Sequence, residues 1–262
     1  MKVVVKIGGA ALDNKELVHK CARAIVDLVD GSHHQVAVVH GGGTELTRTL
    51  LQLGKESSFV NGLRVTDSET RDVALMVLAG KVNKALVAEI GALGKAAIGI
   101  CGADGLSFRA RKKKTNGTDL GYVGEICSAD PRWIESIWNA GGIPVISSVA
   151  LGTDGEYYNV NADQTAAACA VACRAHALIF LTDVAGVKSA DGSVIRWLQI
   201  KQIEDLVKTS VVRGGMLPKL EACQEALRRG VGRVRILPAS EVGLLPDFYT
   251  CKIDCGTEVM VA

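Results

Sequence analysis

Proline and aromatic residues are scarce in this 262-residue chain, with 5 prolines and Phe, Trp and Tyr together at 4%. A core built from it must therefore be aliphatic. Net charge is nearly absent as well: 30 Lys and Arg against 28 Asp and Glu leave +2, too little to point to a polyanionic partner. The one basic run, 109–114, has no interleaved aromatic platform and reads as a solvated hairpin rather than a nucleic-acid surface. Lys6 interrupts the N-terminal apolar run before it reaches the length of a signal-peptide core. Arg174 and His176 break the apolar stretch 165–181, so no membrane-spanning helix is expected there. None of the 8 cysteines has zinc spacing. Cys169 and Cys173 sit one helical turn apart among alanines, and Cys251 and Cys255 lack a second pair. Reduced thiols of a cytoplasmic protein are the expectation. The common nucleotide fingerprints are missing too. There is no G-x-x-x-x-G-K-[ST], and Gly41, Gly42 and Gly43 run into Thr44, Glu45 and Leu46 rather than completing G-x-G-x-x-G. A P-loop is unsupported, and so is a dinucleotide-dependent oxidoreductase.

What is present is glycine, 29 residues, and an apolar content of 48%. Scarce proline beside frequent glycine argues against a disordered chain and for tight glycine loops. The length suits one α/β domain or two closely joined lobes. Apolar strands are expected at 3–7, 35–39, 96–101, 143–146, 177–181 and 233–237, with a short last one at 258–261. Helical patterns lie between them. The first is N-capped by Asp13 with Glu16 as its capping partner and ends at Gly31. Others cover 45–53, 131–140, 162–174 and 216–229, and 68–93 reads as two helices meeting near Gly80. Hairpins are expected across Asn116-Gly117 and Asp154-Gly155. Strands alternating with helices imply a mainly parallel sheet with right-handed crossovers.

Ligands on such sheets bind at the carboxyl ends of strands. Four strand ends carry glycine-rich polar loops: Lys6-Ile7-Gly8-Gly9, His40-Gly41-Gly42-Gly43, Gly102-Ala103-Asp104-Gly105 and Thr182-Asp183-Val184-Ala185-Gly186. Singly each is a turn. Together on one edge they read as an anion site of backbone amides beside a fixed lysine. A second lysine, Lys219, follows Gly214-Gly215 in the first turns of a helix, where amides face outward. Asn159, Asn161 and Asp163 have period-two spacing and would point to one side if extended, although Asn161 or Asp163 also suits a helix cap. An Asp placed between two lysines would hold both charged. Arg64, in a loop, suits forked capture of a carboxylate.

The segments KIGG, HGGG, NGLRVTD, NVNAD, LTDVAGV and GGMLPK, in this order over nearly the whole chain, resemble the amino-acid kinase family. NGLRVTD and NVNAD are most similar to its branch that phosphorylates the γ-carboxylate of N-acetyl-L-glutamate in arginine biosynthesis. The closest competitor is the branch acting on carrier-protein-bound α-aminoadipate in lysine biosynthesis. The resemblance implies a three-layer αβα sandwich with an open, mainly parallel central sheet. It implies one domain with an N-terminal lobe of about 1–174 for the amino acid and a C-terminal lobe of about 175–262 for ATP with Mg2+. By family role Lys6 and Lys219 would stabilise the transferring phosphoryl group and Asp163 would orient them. Gly8, Gly9, Gly41 and Gly42 would line its path through their amides. Arg64, Asn159 and Asn161 would bind the acyl amino acid. The nucleotide would lie against Thr182, Asp183, Gly186, Val187 and Lys188 and against Val211, Val212 and Arg213. No protein side chain is implied as a metal ligand, since ATP mainly carries the Mg2+.

The resemblance also implies small-molecule substrates and a homodimer, with no nucleic-acid or membrane partner. Because the sequence starts at the first strand, without the N-terminal helix of arginine-inhibited relatives, insensitivity to arginine is expected. A different class of function, a nucleotide-sensing module without catalysis, is disfavoured by the joint presence of Lys6, Asp163 and Lys219.

Overall fold

The computed structural model describes residues 1–115, 117–247 and 254–261. Asn116 of the first expected hairpin turn and Cys251 lie outside them. In chain order the strands are β1 (Lys2–Ile7), β2 (Gln35–His40), β3 (Phe59–Val60), β4 (Leu63–Arg64), β5 (Ala97–Ile100), β6 (Phe108–Lys112), β7 (Val123–Ala129), β8 (Ile143–Ser147), β9 (Val149–Gly152), β10 (Tyr157–Val160), β11 (Ala177–Thr182), β12 (Trp197–Gln199), β13 (Arg233–Pro238) and β14 (Thr257–Met260). The helices are α1 (Lys15–Ser32), α2 (Gly43–Gln52), α3 (Ser68–Ala74), α4 (Asn83–Ala92), α5 (Arg132–Asn139), α6 (Ala162–Ala172), α7 (Ile200–Lys208) and α8 (Met216–Arg228).

The main sheet has eight strands in the order β12-β14-β13-β11-β1-β2-β8-β5. All neighbours are parallel except β13 and β14. The two expected hairpins pair β6 with β7 and β9 with β10, and these four strands close into a small barrel. Val3, Val5 and Ile7 on β1 join a core under α1 and α4, while Val4 joins the opposite core with residues of α5, α6 and α8. This is the open, mainly parallel αβα sandwich expected from the sequence.

Side chains alternate across a strand. Lys6 therefore shares Val4's face and points toward α6 and α8. Its register partner on β11 is Phe180. The position of a cation within an apolar strand thus follows from strand parity.

Several local expectations need correction. Asn14, not Asp13, caps α1, accepting from the Leu17 amide at 3.1 Å. The helix passes Gly31 and ends at His33, which takes the left-handed conformation with φ 51°. Residues 68–92 are not two helices meeting at Gly80. A π-helical segment, Leu75–Val82, joins α3 to α4 and contains that glycine. The helix α7 and the strands β3, β4 and β12 escaped the sequence pattern. In α7 only Ile200 and Ile203 are buried, so its apolar signal is thin.

Candidate active site

The parallel strands put the ends of β1, β2 and β11 on one edge of the sheet, and α6 begins beside them. There Lys6 Nζ lies 2.9 Å from Asp163 Oδ1, and Lys219 Nζ lies 3.0 Å and 3.1 Å from the two Asp163 oxygens. Lys6 and Lys219, 213 positions apart in sequence, meet through one carboxylate held on a third element. All three are buried, at 7%, 6% and 5% exposure for Lys6, Asp163 and Lys219. Lys219 Nζ also sits 5.0 Å from the centroid of Phe180, the register partner of Lys6.

Two ammonium groups on one carboxylate make a buried cluster of formal charge +1. Burial pushes the Asp163 carboxyl up, but the charges of Lys6 and Lys219 outweigh it and hold it below its usual range. Burial depresses Lys6, and the Lys219 charge adds to this, although Asp163 opposes both. The carboxylate is thus favoured in its charged form, while the ammonium form of Lys6 is disfavoured by its burial.

Gly8 follows directly. A Cβ at this position would stand 2.2 Å from Lys6 Nζ, so glycine leaves the lysine its place. The Gly8 and Gly41 amides extend the sheet ladder, donating to Leu181 at 3.3 Å and to Ile7 at 3.2 Å. These two amides are therefore occupied by backbone partners, contrary to the expectation that they face a ligand. Gly9 opens a short 3-10 turn, Gly9–Leu12. Gly42 has φ 147°, and a Cβ there would press on Leu78 at 2.8 Å and Val82 at 3.1 Å. The π-helical segment thus packs directly on this glycine.

A cavity of ≈ 480 Å³ opens beside the cluster. Lys6, Asp163, Gly41, Gly42, Gly43, Arg64, Asn159 and Asn161 line it, as do Leu46, Thr47, Phe59, Leu63, Leu78, Val123 and Ser148. Arg64 sits on β4 rather than in a loop. Its Nη2 donates to the Gly43 carbonyl at 2.9 Å and to Thr47 Oγ1 at 2.7 Å, and its Nη1 donates to Ser57. The guanidinium lies 4.6 Å from the Phe59 centroid. Asn159 Nδ2 donates to Thr66 Oγ1 at 3.3 Å.

Asn161 caps α6, accepting from the amides of Asp163 at 2.8 Å and Gln164 at 3.3 Å. Asp163 is therefore on the first helical turn. It reaches the cavity by helix geometry and not by the period-two spacing of an extended stretch. A second cavity, of ≈ 520 Å³, lies between β7, α6 and α8 and is not lined by Lys6 or the glycine loops. Its arginines are paired, Arg111 with Glu125 and Arg229 with Glu225.

Three of the four glycine loops end strands at or beside β1. The fourth, 102–105, ends the edge strand β5, and Asp104 closes it by accepting from the Cys101 amide at 2.7 Å. It does not line the cavity with Lys6. The residues assigned to a nucleotide lie past β11 and before α8. Thr182 Oγ1 donates to Asp183 Oδ1 at 3.1 Å. Gly186 has φ 148°, Val187 N donates to Thr257 Oγ1 at 2.9 Å, and Lys188 bridges to Val194. Arg213 Nε donates to the Ser210 carbonyl at 2.7 Å, next to Val211. Val187 and Val212 are core residues, so their side chains are not available to a ligand. None of these eight residues lines the cavity holding Arg64.

Ser148, Thr47, Phe59 and Leu78 were missed by sequence reasoning. Of the further lining residues, Gly62 and Leu63 lie inside NGLRVTD, and Val160 and Ala162 inside NVNAD.

The amino acid kinase family model matches residues 1–238. An acetylglutamate kinase from Acidobacterium capsulatum is 65% identical over 263 aligned positions, covering 100% of both chains. The solved structure of smu.665 from Streptococcus mutans UA159 superposes with TM-score 0.82 at 26% identity, over 100% of this chain and 99% of that one. The structure of Giardia carbamate kinase, at 14% identity and TM-score 0.71 over 99% and 98% of the two chains, shares the fold alone. Similarity that spans the whole chain, joined to a buried lysine–aspartate–lysine cluster at the strand ends, places this protein in the amino acid kinase family.

Proposed function

We propose that this protein transfers the γ-phosphoryl group of ATP to the γ-carboxylate of N-acetyl-L-glutamate, a step of arginine biosynthesis. The observation that carries the reading is the Lys6–Asp163–Lys219 cluster beside a cavity lined by Arg64 and Asn159. Identity of 65% with an acetylglutamate kinase supports the substrate.

The acceptor carboxylate is ionised at neutral pH and needs no general base. Its oxygen attacks the γ-phosphorus, a new P–O bond forms, and the bond to the β-phosphate oxygen breaks. ADP leaves with the electron pair, and the product is N-acetyl-L-glutamyl 5-phosphate. The obstacle is repulsion between a carboxylate and a polyphosphate. Two lysines, whose cluster with Asp163 has a formal charge of +1, offset it and stabilise the charge of the transition state. Asp163 gives its oxygens to the lysines, so magnesium would be held by nucleotide phosphate oxygens, where it neutralises their charge. Arg64 grips the α-carboxylate of the acceptor, with Asn159 beside it. Nucleotide contacts fall to Thr182, Asp183, Gly186 and Lys188 and to the backbone near Val211 and Arg213. The lobes divide accordingly near residue 174.

Among the described residues no helix is long and apolar enough to cross a membrane, and we assign the enzyme to the cytoplasm. We assign it as a homodimer, in keeping with the open edge strand β5, where the exposed Ile98 shares a hollow with the exposed Trp133 of α5. Sizing by light scattering tests this: a monomer at micromolar concentration overturns it.

Hydroxylamine trapping tests the reaction. Protein, ATP, magnesium and N-acetyl-L-glutamate should yield acyl hydroxamate, and glutamate or aspartate should not. No product from a folded, ATP-binding protein removes the assignment and moves the test to carrier-bound α-aminoadipate.

A further inference from the structure

His40 ends β2 and is fully buried, as is Asn83 at the start of α4. Asn83 lies between two groups of opposite kind. Lys84 Nζ, which can only donate, is 3.2 Å from Asn83 Oδ1, and the Val145 carbonyl, which can only accept, is 2.9 Å from Asn83 Nδ2. The amide orientation is thereby settled by its neighbours. The same Nδ2 faces His40 Nε2 at 3.0 Å, so Nε2 must accept and carry no proton. The remaining ring nitrogen, Nδ1, is 2.7 Å from the Gly41 carbonyl and must donate. Each group in the chain from Lys84 to Gly41 has one consistent role.

The consequence lies in the next peptide. A trans peptide is planar, so the Gly41 carbonyl and the Gly42 N–H point in opposite directions. A carbonyl drawn down to a buried imidazole turns the Gly42 N–H the other way. Gly41 and Gly42 line the cavity beside Lys6.

We propose that His40 is a positioning residue: by holding the Gly41 carbonyl it aims the Gly42 amide at the phosphoryl group, and Asn83 sets the tautomer that makes this possible. This rests on the phosphoryl-transfer reading of the site. Burial, with the Lys6 charge in support, pushes the imidazole down to about 4, which agrees with a ring held neutral. Gly99 completes the arrangement, since a Cβ there would stand 1.8 Å from Asn83 Oδ1.

The deciding experiment does not depend on turnover. Imidazole 15N shifts of labelled protein, assigned with His40→Gln, should show His40 neutral and protonated at Nδ1 from pH 8 to 5. A ring protonated at Nε2, or one titrating near its ordinary value, overturns the proposal. Kinetics give the second arm. Asn83→Leu should lower kcat by about 10²-fold, the scale of a misplacement of about 1 Å, with KM for both substrates changed far less. His40→Asn, whose amide nitrogen can stand where Nδ1 stands, should recover part of what His40→Ala loses. Unchanged kcat in Asn83→Leu, or equal losses in the two His40 variants, overturns it. If substitution prevents folding, the tautomer of the unaltered protein still decides. Failure of the kinase assignment would show instead as no hydroxamate from the unaltered protein.

Discussion

Lys219 Nζ reaches both carboxylate oxygens of Asp163, at 3.0 Å and 3.1 Å, while Lys6 reaches one of them at 2.9 Å. The aspartate is the shared partner, and each lysine depends on it more than the lysines do on each other.

Removing either lysine should spare the fold and remove chemistry. Lys6→Ala and Lys219→Ala are each expected to lose roughly 10²–10³ in turnover, about 2.7–4 kcal/mol of transition-state stabilisation. Steady-state kinetics with circular dichroism on the same samples check this. Near-normal turnover in either variant would take that lysine out of the mechanism.

Removing the aspartate should do the reverse damage. Asp163→Asn leaves two buried ammonium groups facing each other, and loss of one partner of a buried ion pair costs about 3–5 kcal/mol. Lys6→Met leaves a neutral pair and should cost less. Urea titration of the two variants gives the comparison, and equal stabilities would contradict the shared-carboxylate account.

Gly8→Ala tests space rather than charge. The new methyl would occupy the position of the Lys6 ammonium group. The far end of a flexible lysine can move, so stability should change little while kcat falls. A crystal structure of the variant should show Lys6 displaced from Asp163, and an unmoved Lys6 with full activity would refute the steric role.

Arg64→Lys should chiefly raise KM for the acylated amino acid. A lysine cannot reproduce the fork that reaches Gly43, Thr47 and Ser57, nor the stacking on Phe59. An unchanged KM would remove Arg64 from acceptor binding.

His40 gives a stability prediction with a definite sign. Its folded value is about 4, below the ordinary value of 6.5. The unfolded chain therefore binds the proton first as pH falls. The contribution is present in full above pH 6.5 and is lost as pH drops through 4, to a limit on the order of 3 kcal/mol. Denaturant unfolding at pH 7 and pH 5 should show a larger loss for the natural protein than for His40→Asn. Parallel losses would place the acid sensitivity elsewhere.

The parts legible in the sequence were those with a local cause. Val3 to Ile7 announced a buried strand, and Ala162 to Ala172 a helix, because side-chain periodicity depends only on neighbours along the chain. Lys6, Asp163 and Lys219 were legible from residue type and from motifs similar to a known family. For Asn161 the sequence left two roles open, because the same side chain suits a binding site and a helix cap; it caps α6 and also lines the cavity. The Gly102 loop was misjudged because sequence shows that a strand ends in glycine but not where that strand lies in the sheet. The π-helical segment was missed because one extra residue per turn hardly alters an apolar pattern.

The sequence by itself determined the alternation of strands and helices, the aliphatic core and the residue types at the strand ends. These follow from short-range periodicity and from which side chains can be buried. Only the tertiary structure decided that β11 lies beside β1, and so that Lys6 faces Asp163 and Lys219 across one carboxylate. It also decided that a histidine ending β2 meets an asparagine opening α4. Strand order and helix docking are set by packing between distant segments, and the geometry of charge and hydrogen bonding in the site is a product of that packing.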